Sequence, residues 1–191
     1  MFKAYVVTLA SLIALTVNAA LIPARSTVER RASYIYCNET QQQELAAAAT
    51  AAHDLAASAV QYLKAHPSTT PRYNESFGEY SPERHTFVLS MYEYISNYTD
   101  FSGAMTYECD YCPDTVAWVQ YDVKNVIHVC GSFFGVPSNW QGGTLIHEAS
   151  HFLGAWDDTT GNPFMWANYP DGAIHIATLY GWFAINPNNL E

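Results

Sequence analysis

Basic residues are scarce in this chain. Eight Lys and Arg stand against 18 Asp and Glu, for a formal net charge of −10 over 191 residues. Beyond Arg31 the only cations are Lys64, Arg72, Arg84 and Lys124, whereas Glu29 is the only acid before that point. A domain so short of positive charge has little to offer a phosphate backbone or an anionic lipid surface, so nucleic acid and membrane are excluded as partners. Its acidity serves solubility. Cysteine is also sparse, with four residues at Cys37, Cys109, Cys112 and Cys130. Glu is nearly missing from the C-terminal region, where only Glu191 follows Glu148. No long apolar run follows the first twenty residues.

The N-terminus is organised differently. Lys3 precedes an uncharged apolar run from Ala4 to Val17, and the small residues Asn18-Ala19-Ala20 follow. A basic start, an apolar stretch and a small-residue site read as a secretory signal peptide over residues 1–20, too short to serve comfortably as a membrane span. Residues 21–31 end in Glu29-Arg30-Arg31 and read as a short pro-segment or linker. Residues 32–191 make a single domain, expected to be extracellular and monomeric. In an exported chain four cysteines read as two disulfides, with three pairings open; Cys109-Asp110-Tyr111-Cys112 also has the form of a redox or zinc motif. Sequons at Asn38, Asn74 and Asn97 mark candidate glycosylation sites.

Helix formers fill Thr40 to His66, with Thr40 as N-cap, Pro67 as terminator, and Leu45, Ala48, Ala52, Leu55, Ala59 and Tyr62-Leu63 on one face. Ser68 to Ser81 reads as a loop, and Pro82 to Tyr98 as a second helix with Phe87, Met91, Tyr94 and Ile95 along its stripe. Met105–Cys109, Thr115–Tyr121 and Val126–Cys130 alternate like strands of a small antiparallel sheet, with Asp122 to Asn125 as a turn. A helix follows from Gly142 to Leu153, introduced by the Gly142-Gly143 pair and capped by Thr144. Gly154 to Tyr169 is irregular, and Ala173 to Ile185 is a last helix. The class is α+β.

The informative motif lies in the third helix. His147-Glu148-Ala149-Ser150-His151 spells H-E-x-x-H, and residues four apart on a helix share a face, so both imidazoles reach one metal ion. Glu148 lies beside it, placed to take a proton from water. This is the pattern of a zinc-dependent hydrolase, usually a peptidase. Catalytic zinc needs a third protein ligand and an open position. A downstream Glu is ruled out for want of candidates, and His175 lies too far along. An Asp is left, and Asp157 and Asp158 both follow the helix.

The run Gly143-Thr144-Leu145-Ile146-His147-Glu148-Ala149-Ser150-His151-Phe152 resembles that of the deuterolysin-type aspzincins, in particular the fungal peptidyl-Lys metalloendopeptidases. Their second motif is G-T-x-D-x-x-Y-G. Gly154, Asp157 and Gly161 match it in register. The Ala-rich first helix, Thr70-Pro71-Arg72-Tyr73, Phe77-Gly78, Arg84-His85 and Val129-Cys130-Gly131 extend the resemblance over the mature chain. It implies a zincin-like fold, one zinc on His147, His151 and Asp157, Glu148 as general base, a polypeptide substrate, and disulfides Cys37–Cys109 and Cys112–Cys130.

Three departures stand out. Thr160 occupies the position of the family Tyr that is thought to stabilise the oxyanion. Thr160 itself, Tyr169 and Tyr180 are the candidate replacements. The segment between Phe152 and Gly154 is shorter than in the family. Ile174 to Phe183 contains no acid where lysine-specific members hold the lysine ammonium, so lysine selectivity is expected to be lost. The expected activity is a secreted zinc endopeptidase. The alternative is a secreted zinc-binding protein with weakened catalysis, acting in metal capture or host interaction. Trp156 and Trp182 are expected near the cleft.

Overall fold

The computed structural model describes residues 31–191. The expected signal peptide and most of the expected pro-segment lie outside the described residues. Three long helices and a small sheet enclose one core. Strand β1 (Ser33–Ile35) leads into helix α1 (Glu39–Ala65), followed by α2 (Pro71–Phe77) and α3 (Pro82–Tyr98). Strands β2 (Thr106–Cys109), β3 (Ala117–Trp118) and β4 (Val126–Val129) come next, then α4 (Ser138–His151), α5 (Pro170–Ala173) and α6 (Ala177–Ile185). A 3-10 turn covers Pro163–Asn168. None of the described helices is long and apolar enough to cross a membrane.

The α+β class holds, but the sheet is mixed rather than antiparallel. Its order is β1-β2-β4-β3. β1 and β4 both run parallel to β2, and only β3 pairs antiparallel, with Trp118 opposite His128. Alternation along a strand reports its two faces and says nothing about the direction of its neighbour. β3 is left as an outer edge.

Several helix ends also differ from expectation. The N-cap of α1 is Asn38, whose side chain accepts from the Gln41 amide in a capping box, so Thr40 lies inside the helix. Within the expected loop, Thr70 caps α2 and Pro71 occupies its first turn, where the missing N–H is harmless. α4 begins at Ser138, not Gly142. Thr144 is therefore no cap, and its Oγ1 donates to the Trp140 carbonyl one turn back. The last helix is split between α5 and α6.

The two glycines inside α4 allow its neighbours to approach. A Cβ at Gly142 would lie 2.8 Å from the Ala52 amide of α1, and one at Gly143 would strike Ile185 of α6. Ala48, Ala52, Ala56 and Ala59 are all fully buried along α1. These small residues bring α1 and α6 against α4, so the motif helix is held on two sides. Leu55 and Tyr62 are only partly buried, and Tyr94 faces solvent against Tyr98. Arg72, buried despite its charge, donates Nε and Nη2 to the Phe183 carbonyl at 3.1 and 2.7 Å. Its guanidinium lies over the Tyr62 and Phe183 rings. The disulfides join Cys37 to Cys109 and Cys112 to Cys130, as the family resemblance implies. The second ties the segment leading to β3 onto the end of β4.

Candidate metal centre

Helix α4 presents His147 and His151 one turn apart. Gly154, with φ +94, reverses the chain at the helix end, where glycine adopts the left-handed region without strain. Ala155 N–H then donates to the Ser150 carbonyl. The Trp156 amide donates to the His175 carbonyl at 2.8 Å and the Ala177 amide to the Trp156 carbonyl at 3.0 Å, which pins the returning strand beside α6. Asp157 is thereby set over the two imidazoles.

Three donor atoms form a nearly equilateral triangle. His147 Nε2 lies 3.2 Å from Asp157 Oδ1 and 3.2 Å from His151 Nε2, and His151 Nε2 lies 3.3 Å from Asp157 Oδ1. A tetrahedral zinc with bonds of about 2.0–2.1 Å sets its ligand atoms about 3.3–3.4 Å apart. The residues present therefore fit the ion in number, type and spacing, and they are a group of His, Asp and His able to hold one. His151 Nδ1 donates to the Ala155 carbonyl at 2.9 Å, which leaves its Nε2 lone pair facing the triangle. The His147 hydrogen bond holds the Asp157 carboxyl below its ordinary range, and burial lowers His151 below an ordinary imidazole.

Glu148 stands beside this triangle, 3 % exposed, with Oε1 at 3.9 Å from His147 Nε2. Its Oε2 is buried without a hydrogen-bond partner. Burial pushes its carboxyl up to about 7, against the pull of His147. A carboxyl with this affinity for protons is suited to taking one up and passing it on.

Asp158 is turned away from the two imidazoles. It accepts from the Thr160 amide and hydroxyl and from Trp166 Nε1. Thr160 is held by the same network, with its hydroxyl 2.6 Å from Asp158. It does not face the triangle. The other two candidates also fail. Tyr180 is fully buried and donates to the Ile174 carbonyl, while Tyr169 is largely exposed beside Met165 and Trp166. The residue in reach is Tyr121, which sequence reasoning missed. Its ring stands edge-on to His151, with centroids 5.4 Å apart, and it lines the same cavity as Asp157. No local signal marked it, because a turn between strands carries it to the helix.

These groups open into a cavity of about 660 Å³. Residues 114–119, including the β3 edge, form one wall, and Thr178, Gly181 and Trp182 of α6 form the other. Trp182 thus lines the cleft, whereas Trp156 is half-exposed and stacks on His175. The sequon residues Asn38, Asn74 and Asn97 are all at the surface.

A family described as lysine-specific metallo-endopeptidase matches residues 62–185. The chain belongs to this aspzincin family. A peptidyl-Lys metalloendopeptidase of Pleurotus ostreatus is 37% identical over 166 residues, 81% of this chain and 97% of that protein. One from Grifola frondosa is 37% identical over 137 residues, 70% of this chain but only 39% of that protein. The chain therefore spans about two-fifths of the Grifola frondosa relative. A solved zinc peptidase from Grifola frondosa matches with a TM-score of 0.76 at 33% identity, covering 81% of this chain and 100% of that one. This aspzincin combines helices with a small sheet around the H-E-x-x-H helix.

Proposed function

We propose that the protein is a secreted zinc endopeptidase. The observation that carries this reading is the triangle of His147, His151 and Asp157 with the buried Glu148 carboxylate, its Oε2 without a hydrogen-bond partner, at its side. His147, His151 and Asp157 would hold the metal. Zinc, when bound, supplies a Lewis acid that polarises the scissile carbonyl and acidifies water. Glu148 takes the proton from the attacking water and returns it to the leaving amine. His151 is kept in the right tautomer by the Ala155 carbonyl. Tyr121 lines the cavity beside His151 and supplies a second donor for developing negative charge, in the role the family Tyr leaves open at Thr160. The outer edge of β3 runs along the cavity and offers backbone groups to an extended polypeptide.

Lysine selectivity is not expected. The α6 residues facing the cavity are Thr178, Gly181, Trp182 and Ile185, none of them acidic. The two disulfides and the exposed sequons agree with passage through the secretory route. A weakened zinc-binding protein is the second reading, favoured by the diversion of Thr160 into bonds with Asp158. Cleavage of a denatured protein by purified material separates them, with Glu148→Gln and a chelator as controls. Cleavage lost in both controls supports the peptidase. Equal activity of wild type and Glu148→Gln rejects it.

A further inference from the structure

Trp182 is the largest side chain that α6 gives to the cavity, and it is fixed from behind. Its Nε1 donates to Glu75 Oε2 at 3.1 Å. The other oxygen of Glu75 accepts from Asn188 Nδ2 at 2.6 Å. Phe164 meets the indole edge-on at 4.8 Å and Trp140 at 5.9 Å. Glu75 belongs to α2 and is not among the residues that line the cavity, and both its oxygens are engaged.

The recess bounded by Trp182, Trp140 and Ile185 carries no charge of its own. Gly143 and Gly181 lie between the two helices, and a Cβ at Gly181 would stand 2.7 Å from the Gly143 carbonyl oxygen. A carboxylate has no room at that position while α6 rests on α4. Glu148 and Asp157 belong to the metal centre, and Asp114 is exposed on the opposite wall. An ammonium in the recess would lose water without gaining a counter-charge, whereas an apolar side chain would lose nothing.

We propose that Trp182 is the specificity-determining residue of this site. The recess takes a large apolar side chain, of the Phe or Leu class, next to the scissile bond, and Glu75 is the positioning residue that holds the indole in place. This rests on the peptidase reading of the same site.

The test uses zinc-loaded Glu148→Gln protein and calorimetry. The peptides carry Phe or Lys on either side of one central bond and are otherwise identical. Phe is expected to bind at least about 10-fold tighter than Lys at one of the two positions, as apolar pockets discriminate. Trp182→Ala should bring the two within about twofold of each other. Glu75→Leu should lose part of the ratio with zinc content unchanged, because the indole N–H then has no acceptor behind it. Thr178→Asp places an acid in the first turn of α6, where the helix dipole favours it, so this variant should fold and shift the ratio about 10-fold toward Lys. Equal affinities, a Lys preference or no measurable binding of the Phe peptides would overturn the proposal. The same peptides are then offered to wild-type enzyme. Phe-selective binding without cleavage would retire the peptidase reading and leave Trp182 as part of an apolar binding recess only, whereas cleavage without Phe selectivity would overturn this inference and keep that reading.

Discussion

His151 Nδ1 donates its proton to the carbonyl oxygen of Ala155, 2.9 Å away. Ala155 lies two residues before Asp157, so one short loop both orients an imidazole and delivers the carboxylate beside it. The loop depends on Gly154 at φ +94. A β-branched residue there is strained by about 1–3 kcal/mol. Gly154→Val should therefore shift the Ala155 carbonyl and lower zinc affinity about 10–100-fold, as loss of such supporting bonds does elsewhere. Chelator competition measures this, with circular dichroism to show that α4 persists. Unchanged affinity would mean that the loop does not orient the ligand.

Glu148 makes no contact that the triangle needs. Glu148→Gln should keep zinc binding close to wild type while hydrolysis falls about 10²–10⁴-fold, the usual range for a positioned proton-transfer group. Parallel assays of zinc content and peptide hydrolysis are sufficient. Loss of both together would make Glu148 structural instead.

Tyr121 and Thr160 make opposite predictions. Tyr121→Phe removes only the hydroxyl beside the metal centre and should cost on the order of 10²–10³ in rate, the usual cost of one such donor. Thr160→Ala breaks bonds to Asp158 at the surface of the loop and should change the rate only a few-fold. Steady-state kinetics on one peptide compares them. A larger loss at Thr160 than at Tyr121 would reverse the assignment.

The difference between those two residues marks how far the sequence could be read. His147, Glu148 and His151 were legible because helical spacing alone puts them on one face. Asp157 was legible only through register with a known motif, since nothing local separates it from Asp158. Tyr121 reaches His151 through the packing of a strand turn against a helix, and no short-range pattern encodes that. The parallel strand pairings and the helix α2 escaped for related reasons. Strand direction is a tertiary choice, and Pro71 and Gly78 read as loop breakers although they are the first turn and the C-cap of α2. The Gly142-Gly143 pair reads locally as punctuation, whereas in the fold it lets helices approach closely.

His85 provides a test of stability against pH. It is buried between Tyr73 and Tyr80, and burial lowers its pKa below the ordinary 6.5. The unfolded chain therefore takes up a proton at a higher pH than the native state does. The sign follows: this contribution is complete above about pH 6.5 and is lost as pH falls through the native value. Urea unfolding at pH 7 and pH 5 should show a smaller loss for His85→Gln than for wild type. An identical loss in both proteins would remove His85 from the account.

Zinc content tests the central claim most directly. Elemental analysis of purified protein should find one zinc per chain in wild type and in Asp158→Ala, and none in Asp157→Ala after dialysis. Native protein without a transition metal, or zinc retained by Asp157→Ala and lost from Asp158→Ala, would contradict it.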